Sequence, residues 1–241
     1  MLGKWYDGIV RKIVDETPNV KRFYVEIPTE EAIDFKPGQF ATFDLPIHEK
    51  RTKRWRSYSI ASGPDGSNVL EFVIVRLEGG LGTKYLFEEV NVGSELKLRE
   101  PKGVFTLPET IDEELCLICT GTGIAPFRSM LLDIHRRMLK TPPIHLIFGT
   151  RTLEDVLYFE EMTRLAVEMP QLYYYVTLSR DLPDDWRGYD GYVHEIYERV
   201  FQDRRPAKFY LCGWKNMIDE ARDRLGQMEY EKKQIIYEIY G

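Results

Sequence analysis

From about residue 110 onward the sequence alternates between two kinds of stretch, and this alternation restricts the fold more than anything else in the chain. Leu115–Thr120 is almost continuously apolar, as a strand covered on both faces requires. Phe127, Met130, Leu131, Ile134 and Met138 then recur at helical spacing. The pattern continues through strand Ile144–Gly149, helix Leu153–Val167, strand Leu172–Leu178, helix Val193–Val200, strand Lys208–Cys212 and helix Met217–Met228. Strands separated by crossover helices run parallel, so this half predicts a doubly wound α/β sheet. The first half has a different grammar. Short runs at Tyr6–Val14, Val20–Ile27, Phe40–Leu45, Arg56–Ser62, Val69–Arg76, Glu95–Arg99 and Val104–Leu107 are separated by turn residues. That spacing predicts an antiparallel β-barrel, interrupted by one helix from Gly82 to Glu89.

At 241 residues the chain has room for two modest domains, and the change of grammar sets their boundary near Pro108-Glu109-Thr110, giving 1–108 and 109–241. The net charge of −6 argues against nucleic-acid binding. Apolar runs are too short for a spanning helix, and the start, Met1 to Asp7, has no signal-peptide core. A cytoplasmic protein with no membrane span is the expectation. Positive charge is concentrated in Lys50-Arg51-Thr52-Lys53-Arg54-Trp55-Arg56, which reads either as a solvated loop or as a docking patch for phosphates or an acidic partner. Cys116 and Cys119 are three apart on a strand and face opposite sides, so they neither chelate one metal nor pair. No histidine has metal-ligand spacing, and no metal is expected.

Three stretches carry chemistry. On a strand Arg56 and Tyr58 share a face, and a planar cation beside a phenol ring suits a ligand with a phosphate and a flat heterocycle. Gly79-Gly80-Leu81-Gly82-Thr83 places glycines and a hydroxyl at the start of the lone helix, a phosphate cradle or a flexible hairpin loop. Thr120-Gly121-Thr122-Gly123-Ile124-Ala125-Pro126 ends the first strand of the second half. It departs from G-x-G-x-x-G at its third position and lacks the Lys-Ser/Thr of a Walker loop. Its position still favours a nucleotide. Further polar residues follow the later strands: Thr150 and Arg151, where the guanidinium can neutralise a pyrophosphate; Ser179 and Arg180, suited to a ribose 2′-phosphate and hence to NADP over NAD; and Cys212-Gly213. Cys212 also reads simply as a small buried residue.

Taken in order, Arg56-Ser57-Tyr58-Ser59, Gly80-Leu81-Gly82-Thr83, Gly121 to Pro126, Cys212-Gly213 and Glu238-Ile239-Tyr240 resemble the motifs of the ferredoxin–NADP reductase family over nearly the whole chain. The resemblance implies an FAD-binding barrel followed by an NAD(P)-binding domain, with NADP favoured and NAD possible. It puts Arg56 on the flavin pyrophosphate, Tyr58 against the isoalloxazine, Ser59 near flavin N5, and the backbone of Val73, Ile74 and Val75 along the ribityl chain. Cys212 and Glu238 would lie near the nicotinamide, with Tyr240 stacking on the flavin; unlike plant-type members, this chain adds Gly241 after that tyrosine. Arg187 stands as a second cation after the 180 region, and Tyr192 follows Gly191 where some members carry an arginine. The implied activity is hydride transfer between NAD(P)H and FAD, with electrons passed singly to a separate carrier such as ferredoxin or flavodoxin. Two alternatives stay open: an NADH-dependent reductase serving an oxygenase, a cytochrome or free iron and flavin, and an FAD-binding electron-transfer subunit that does not turn over alone.

Overall fold

The computed structural model describes residues 3–29 and 32–240; Met1, Leu2 and Gly241, which enter the sequence reading, lie outside the described residues. Two compact units are formed, one from residues 1–106 with 125–133 and the other from 107–124 with 134–241. The sequence boundary near 108 and this division differ in residues 107–108 and 125–133.

In the first unit β1 (Trp5–Thr17), β2 (Val20–Glu26), β3 (Phe40–Asp44), β4 (Trp55–Ser59), β5 (Val69–Val75) and β6 (Glu95–Arg99) form a six-stranded sheet, and α1 (Leu81–Glu88) follows β5. The strand order is β4-β3-β6-β1-β2-β5, and neighbours are antiparallel. The sheet curls until its two ends meet: the Ala61 N–H, just past β4, donates to the Glu71 carbonyl of β5 at 2.8 Å. Alternation fills the interior. Leu70, Phe72 and Ile74 of β5 join Phe23, Val25, Phe43 and Leu98 in the core, while Glu71, itself buried, points away from that core.

The strand expected at Val104–Leu107 does not form. Gly103 takes φ +131°, pairing stops at an isolated bridge between Phe40 and Lys102, and Phe105 buries its ring against Phe127 at 5.8 Å. Side-chain burial thus replaces a ladder.

In the second unit β7 (Glu114–Thr120) leads through a single turn at Gly121–Gly123 into α2 (Ile124–Arg136), whose residues 125–133 belong to the first unit. β8 (Ile144–Thr150), α3 (Phe159–Glu168), β9 (Leu172–Leu178), β10 (Tyr189–Asp190), α4 (Val193–Val200), β11 (Ala207–Trp214), α5 (Lys215–Gln227) and β12 (Ile235–Tyr240) complete the chain. The sheet is parallel with order β10-β9-β8-β7-β11-β12. Its order reverses between β7 and β11, which is where such sheets open a crevice beyond their carboxyl ends.

One further expectation needs correction. The helix read as Leu153–Val167 is split: a short turn at Leu153–Asp155 is followed by α3 only after Tyr158, whose φ is +56°. Leu157 and Tyr158 are both buried, and seating them turns the chain out of helix. The terminal stretch around Glu238 is also more than a motif, since it forms the edge strand β12. No helix among the described residues is long and apolar enough to cross a membrane.

Candidate functional site

The barrel brings two separated sequence motifs together. Arg56 and Tyr58 of β4 lie opposite Phe43 and Ala41 of β3, so both stand on the core-facing side of this end strand. Tyr58 packs edge-on against Phe43 at 5.6 Å, and burial pushes its phenol up to about 12 against the opposing pull of Arg56. The Arg56 guanidinium donates to the carbonyls of Lys53 (3.1 Å) and Trp55 (2.8 Å), and no carboxylate pairs with it among the described residues. Its stem runs across the start of α1: a Cβ placed on Gly82 would stand 2.9 Å from Arg56 Cγ and 3.2 Å from Nε. Glycine at 82 is therefore what lets the guanidinium lie beside the first turn of a helix whose leading N–H groups have no intrahelical acceptor. A cation and a helix start converging in this way fit a pyrophosphate.

Thr83 does not offer its hydroxyl freely to that cradle. Its Oγ1 accepts from the Leu77 N–H at 3.1 Å and lies 3.2 Å from the Gly80 carbonyl, so it ties the loop shut behind Leu81. β5 contributes backbone. Because Glu71 turns its N–H and C=O toward the 61–62 segment, strand periodicity turns those of Val73 and Val75 toward the same, open edge. Ile74 turns toward β2 instead, so of the three residues expected to line a ligand with their backbone only Val73 and Val75 are so directed. On β4, Ser57 bonds Thr42 at 3.0 Å, and Ser59, buried at 5% exposure, faces away from Tyr58 as strict alternation requires.

In the basic run, Asp44 holds Arg54 at 2.8 Å and Arg51 at 3.7 Å, and the Arg51 guanidinium rests over the rings of Trp5 and Trp55. Two of its cations are thus fixed by local partners, while Lys50 and Lys53 are exposed.

In the second unit the glycine motifs at 121–123 and 213 interlock. A Cβ on Gly123 would strike the Cys212 carbonyl and stand 2.9 Å from Gly213 N; one on Gly213, at φ +137°, would stand 3.0 Å from the Thr120 carbonyl. Thr120, read from the sequence only as the residue ahead of the glycines, has a hydroxyl that also accepts from the Trp214 N–H at 3.4 Å. A hydroxyl directly before the glycine turn was the signal available. Thr122 is nearly buried, Gly121 faces open space, and Pro126 is the third residue of α2, where no helical N–H partner is lost.

Cys212 sits between Cys119 of β7 and Glu238 of β12 in the sheet register. Burial pushes its thiol well up, Glu238 adds to the rise, and the neighbouring Tyr240 opposes it. Cys212, Glu238 and Tyr240 thus form one cluster at the end of β11 and β12.

The ends of β8 and β9 are laced together. The N–H groups of Ser179 and Arg180 donate to the carbonyls of Thr150 (3.0 Å) and Arg151 (2.8 Å). The hydroxyls of Ser179 and Thr150 are both spent on backbone carbonyls. Arg151 and Arg180 are left exposed on neighbouring strand ends, with no ion pair to either among the described residues. Tyr192, 71% exposed, follows at the start of α4, and Arg187 is exposed in the loop before it.

Two family models match successive parts of the chain. Residues 7–107 match the oxidoreductase FAD-binding domain, and residues 117–223 match the oxidoreductase NAD-binding domain. The ferredoxin–NADP reductase B of Sorangium cellulosum is 31% identical over 231 residues, covering 93% of this chain and 93% of that protein. The anthranilate 1,2-dioxygenase electron transfer component of Acinetobacter baylyi is 33% identical over 195 residues, covering 81% of this chain; the match spans only 55% of that relative. Among solved structures, a ferredoxin NADP+ reductase from Neisseria gonorrhoeae with bound FAD and NADP superposes with a TM-score of 0.82 at 23% identity, covering 98% of each chain. The chain belongs to the ferredoxin–NADP reductase family.

Proposed function

We propose that this protein is an FAD-dependent reductase that takes hydride from NADPH and passes electrons singly to a separate acidic carrier of the ferredoxin or flavodoxin kind. The observation that carries the cofactor assignment is the junction of Arg56 with Gly82 at the start of α1, a pyrophosphate cradle assembled from residues 26 positions apart. FAD, when bound, supplies the chemistry of accepting two electrons as hydride and releasing them one at a time. The chain's own residues do the holding. Arg56 and the first turn of α1 neutralise the pyrophosphate, the Tyr58 ring offers an apolar face, and the outward N–H and C=O groups of Val73 and Val75 hydrogen-bond along the open edge of β5. The Ser59 hydroxyl would act near the reacting nitrogen through a local twist of β4, since it faces away from Tyr58.

On the second unit, Gly121 to Gly123 and the start of α2 take the dinucleotide phosphates. Arg151 and Arg180, exposed and without carboxylate partners among the described residues, support a 2′-phosphate and therefore NADP. Cys212, Glu238 and Tyr240 provide a polar cluster for the nicotinamide end, in which the thiol stays protonated. Lys50 and Lys53 support docking of an acidic carrier, and a cytoplasmic location accompanies this reading.

A second reading, a reductase component of an oxygenase using NADH, is favoured by the 33% identity to the anthranilate dioxygenase component. kcat/KM for NADPH and NADH, before and after Arg180→Ala, separates the two. The NADPH value is expected to fall selectively, by about tenfold or more for a lost charged hydrogen bond. Equal loss with both nucleotides, or a wild type that prefers NADH, would overturn the NADP assignment. A purified protein that neither nucleotide reduces would overturn turnover itself.

A further inference from the structure

Arg128 and Ser129 belong to none of the groups above, yet they are 7% and 0% exposed. Arg128 Nη1 donates to the Ala61 carbonyl at 2.7 Å and to Glu71 Oε2 at 2.8 Å, and Ser129 Oγ donates to the Ser62 carbonyl at 2.7 Å. Glu71, at 3% exposure, also has Arg22 Nη1 at 3.6 Å from its other oxygen, so its carboxylate lies between two guanidiniums. The same glutamate receives the Ala61 N–H on its carbonyl and gives its own N–H to Ser62 Oγ at 3.1 Å.

Residues 61 and 62 are therefore gripped from two sides, by β5 and by residues 128–129. They directly continue the strand that carries Arg56, Tyr58 and Ser59, with Ser59 two positions before Ala61. A buried ion pair adds little net stability over apolar packing of the same volume. What a forked guanidinium adds is geometry, since its donors fix a carbonyl and a carboxylate in one arrangement. A barrel wall needing only cover would be served by leucine.

We infer that Arg128, Ser129 and Glu71 are positioning residues for the flavin strand, holding Ala61 and Ser62 so that Tyr58 and Ser59 meet the isoalloxazine at one depth and register. This rests on the reading that FAD binds the first unit.

The test compares wild type, Arg128→Lys, Arg128→Met, Ser129→Ala and the barrel-core control Val10→Ala. The readouts are FAD dissociation constant, visible circular dichroism of the bound flavin, flavin reduction potential and Tm. Ser129→Ala removes one hydroxyl and tests the inference even where a charge variant fails to fold. The expectation is that Ser129→Ala and Arg128→Lys bind FAD about tenfold more weakly. Both should shift the flavin circular dichroism and potential, with Arg128→Lys closer to wild type than Arg128→Met. Val10→Ala should lower Tm and leave the spectrum and potential in place. If Ser129→Ala and Arg128→Lys keep the wild-type flavin spectrum and potential, the inference is overturned, because the grip then only stabilises the barrel. A wild type that binds no FAD would instead overturn the reading of the unit, and that result is visible before any variant is made.

Discussion

Gly82 and Gly123 would each meet a neighbour if given a methyl group, but the neighbours differ in what they can do. At Gly82 the obstacle is the stem of Arg56, a flexible side chain that can swing away; at Gly123 it is the backbone of Cys212 and Gly213. Gly82→Ala is therefore expected to change Tm little while weakening FAD binding, because the guanidinium leaves the helix start. Gly123→Ala should force apart the turn after β7 and the end of β11. Its Tm should fall by several degrees, consistent with a ΔΔG of about 1–3 kcal/mol for overpacking. Thermal denaturation and FAD titration of the two variants check both outcomes, and equal Tm losses would contradict this account. The Tyr58 phenol, held up at about 12, stays protonated through the range in which an exposed tyrosine ionises. FAD affinity should accordingly show no tyrosine-like step near pH 10.

Among the elements, β5 shows how far an amino-acid pattern can be read. Alternation in Val69-Leu70-Glu71-Phe72-Val73-Ile74-Val75 announces a strand, and its motif neighbours announce a ligand. Which backbone groups point outward depends on the Ala61–Glu71 contact, a pairing with a distant segment that no local pattern contains. The geometry makes Val75→Pro and Ile74→Pro unequal. Proline at 75 removes an N–H directed at the open edge and should weaken FAD binding with a modest loss of Tm. Proline at 74 removes an N–H directed at β2 and should lower Tm the more. FAD titration beside thermal melts decides it, and an equal Tm loss at the two positions would sink the argument. The same limit explains the misread elements. Val104–Leu107 has strand composition, but Phe105 is claimed by Phe127; Leu153–Val167 has helical spacing, but Leu157 and Tyr158 are claimed by the core. The inner strands β7, β8 and β11, buried on both faces, and the glycine motifs were legible because continuous apolarity and turn chemistry are local properties. Arg128 and Glu71 were not, since two charged residues 57 positions apart carry no mark of their pairing.

For the whole molecule, the second unit contains two histidines that resist protonation. Burial lowers His145 and His194 below the usual 6.5, against the opposing pull of Glu114 on the first and of Glu220 and Glu198 on the second. Arg205 and Arg224 add to the lowering. As pH drops under 6.5 the unfolded chain takes up protons that the folded chain refuses, so stability present above that value is lost as pH falls through the depressed folded values. Urea midpoints at about pH 7.5 and about pH 5.5 should differ in the wild type and differ less in His145→Gln/His194→Gln, whatever the absolute cost of the substitutions. An unchanged pH slope in the double variant would refute the assignment.

The outward-facing backbone of Val73 and Val75 has a further consequence for the life of the protein before it meets FAD. An unpaired strand edge is a template on which another extended chain can add itself. Newly made protein lacking flavin would present that edge to its neighbours, and the cofactor would then serve as a solubility factor as well as a redox group. Cells starved of riboflavin should accumulate this protein in aggregates, and flavin supplied during synthesis should return it to the soluble fraction more effectively than flavin supplied afterwards.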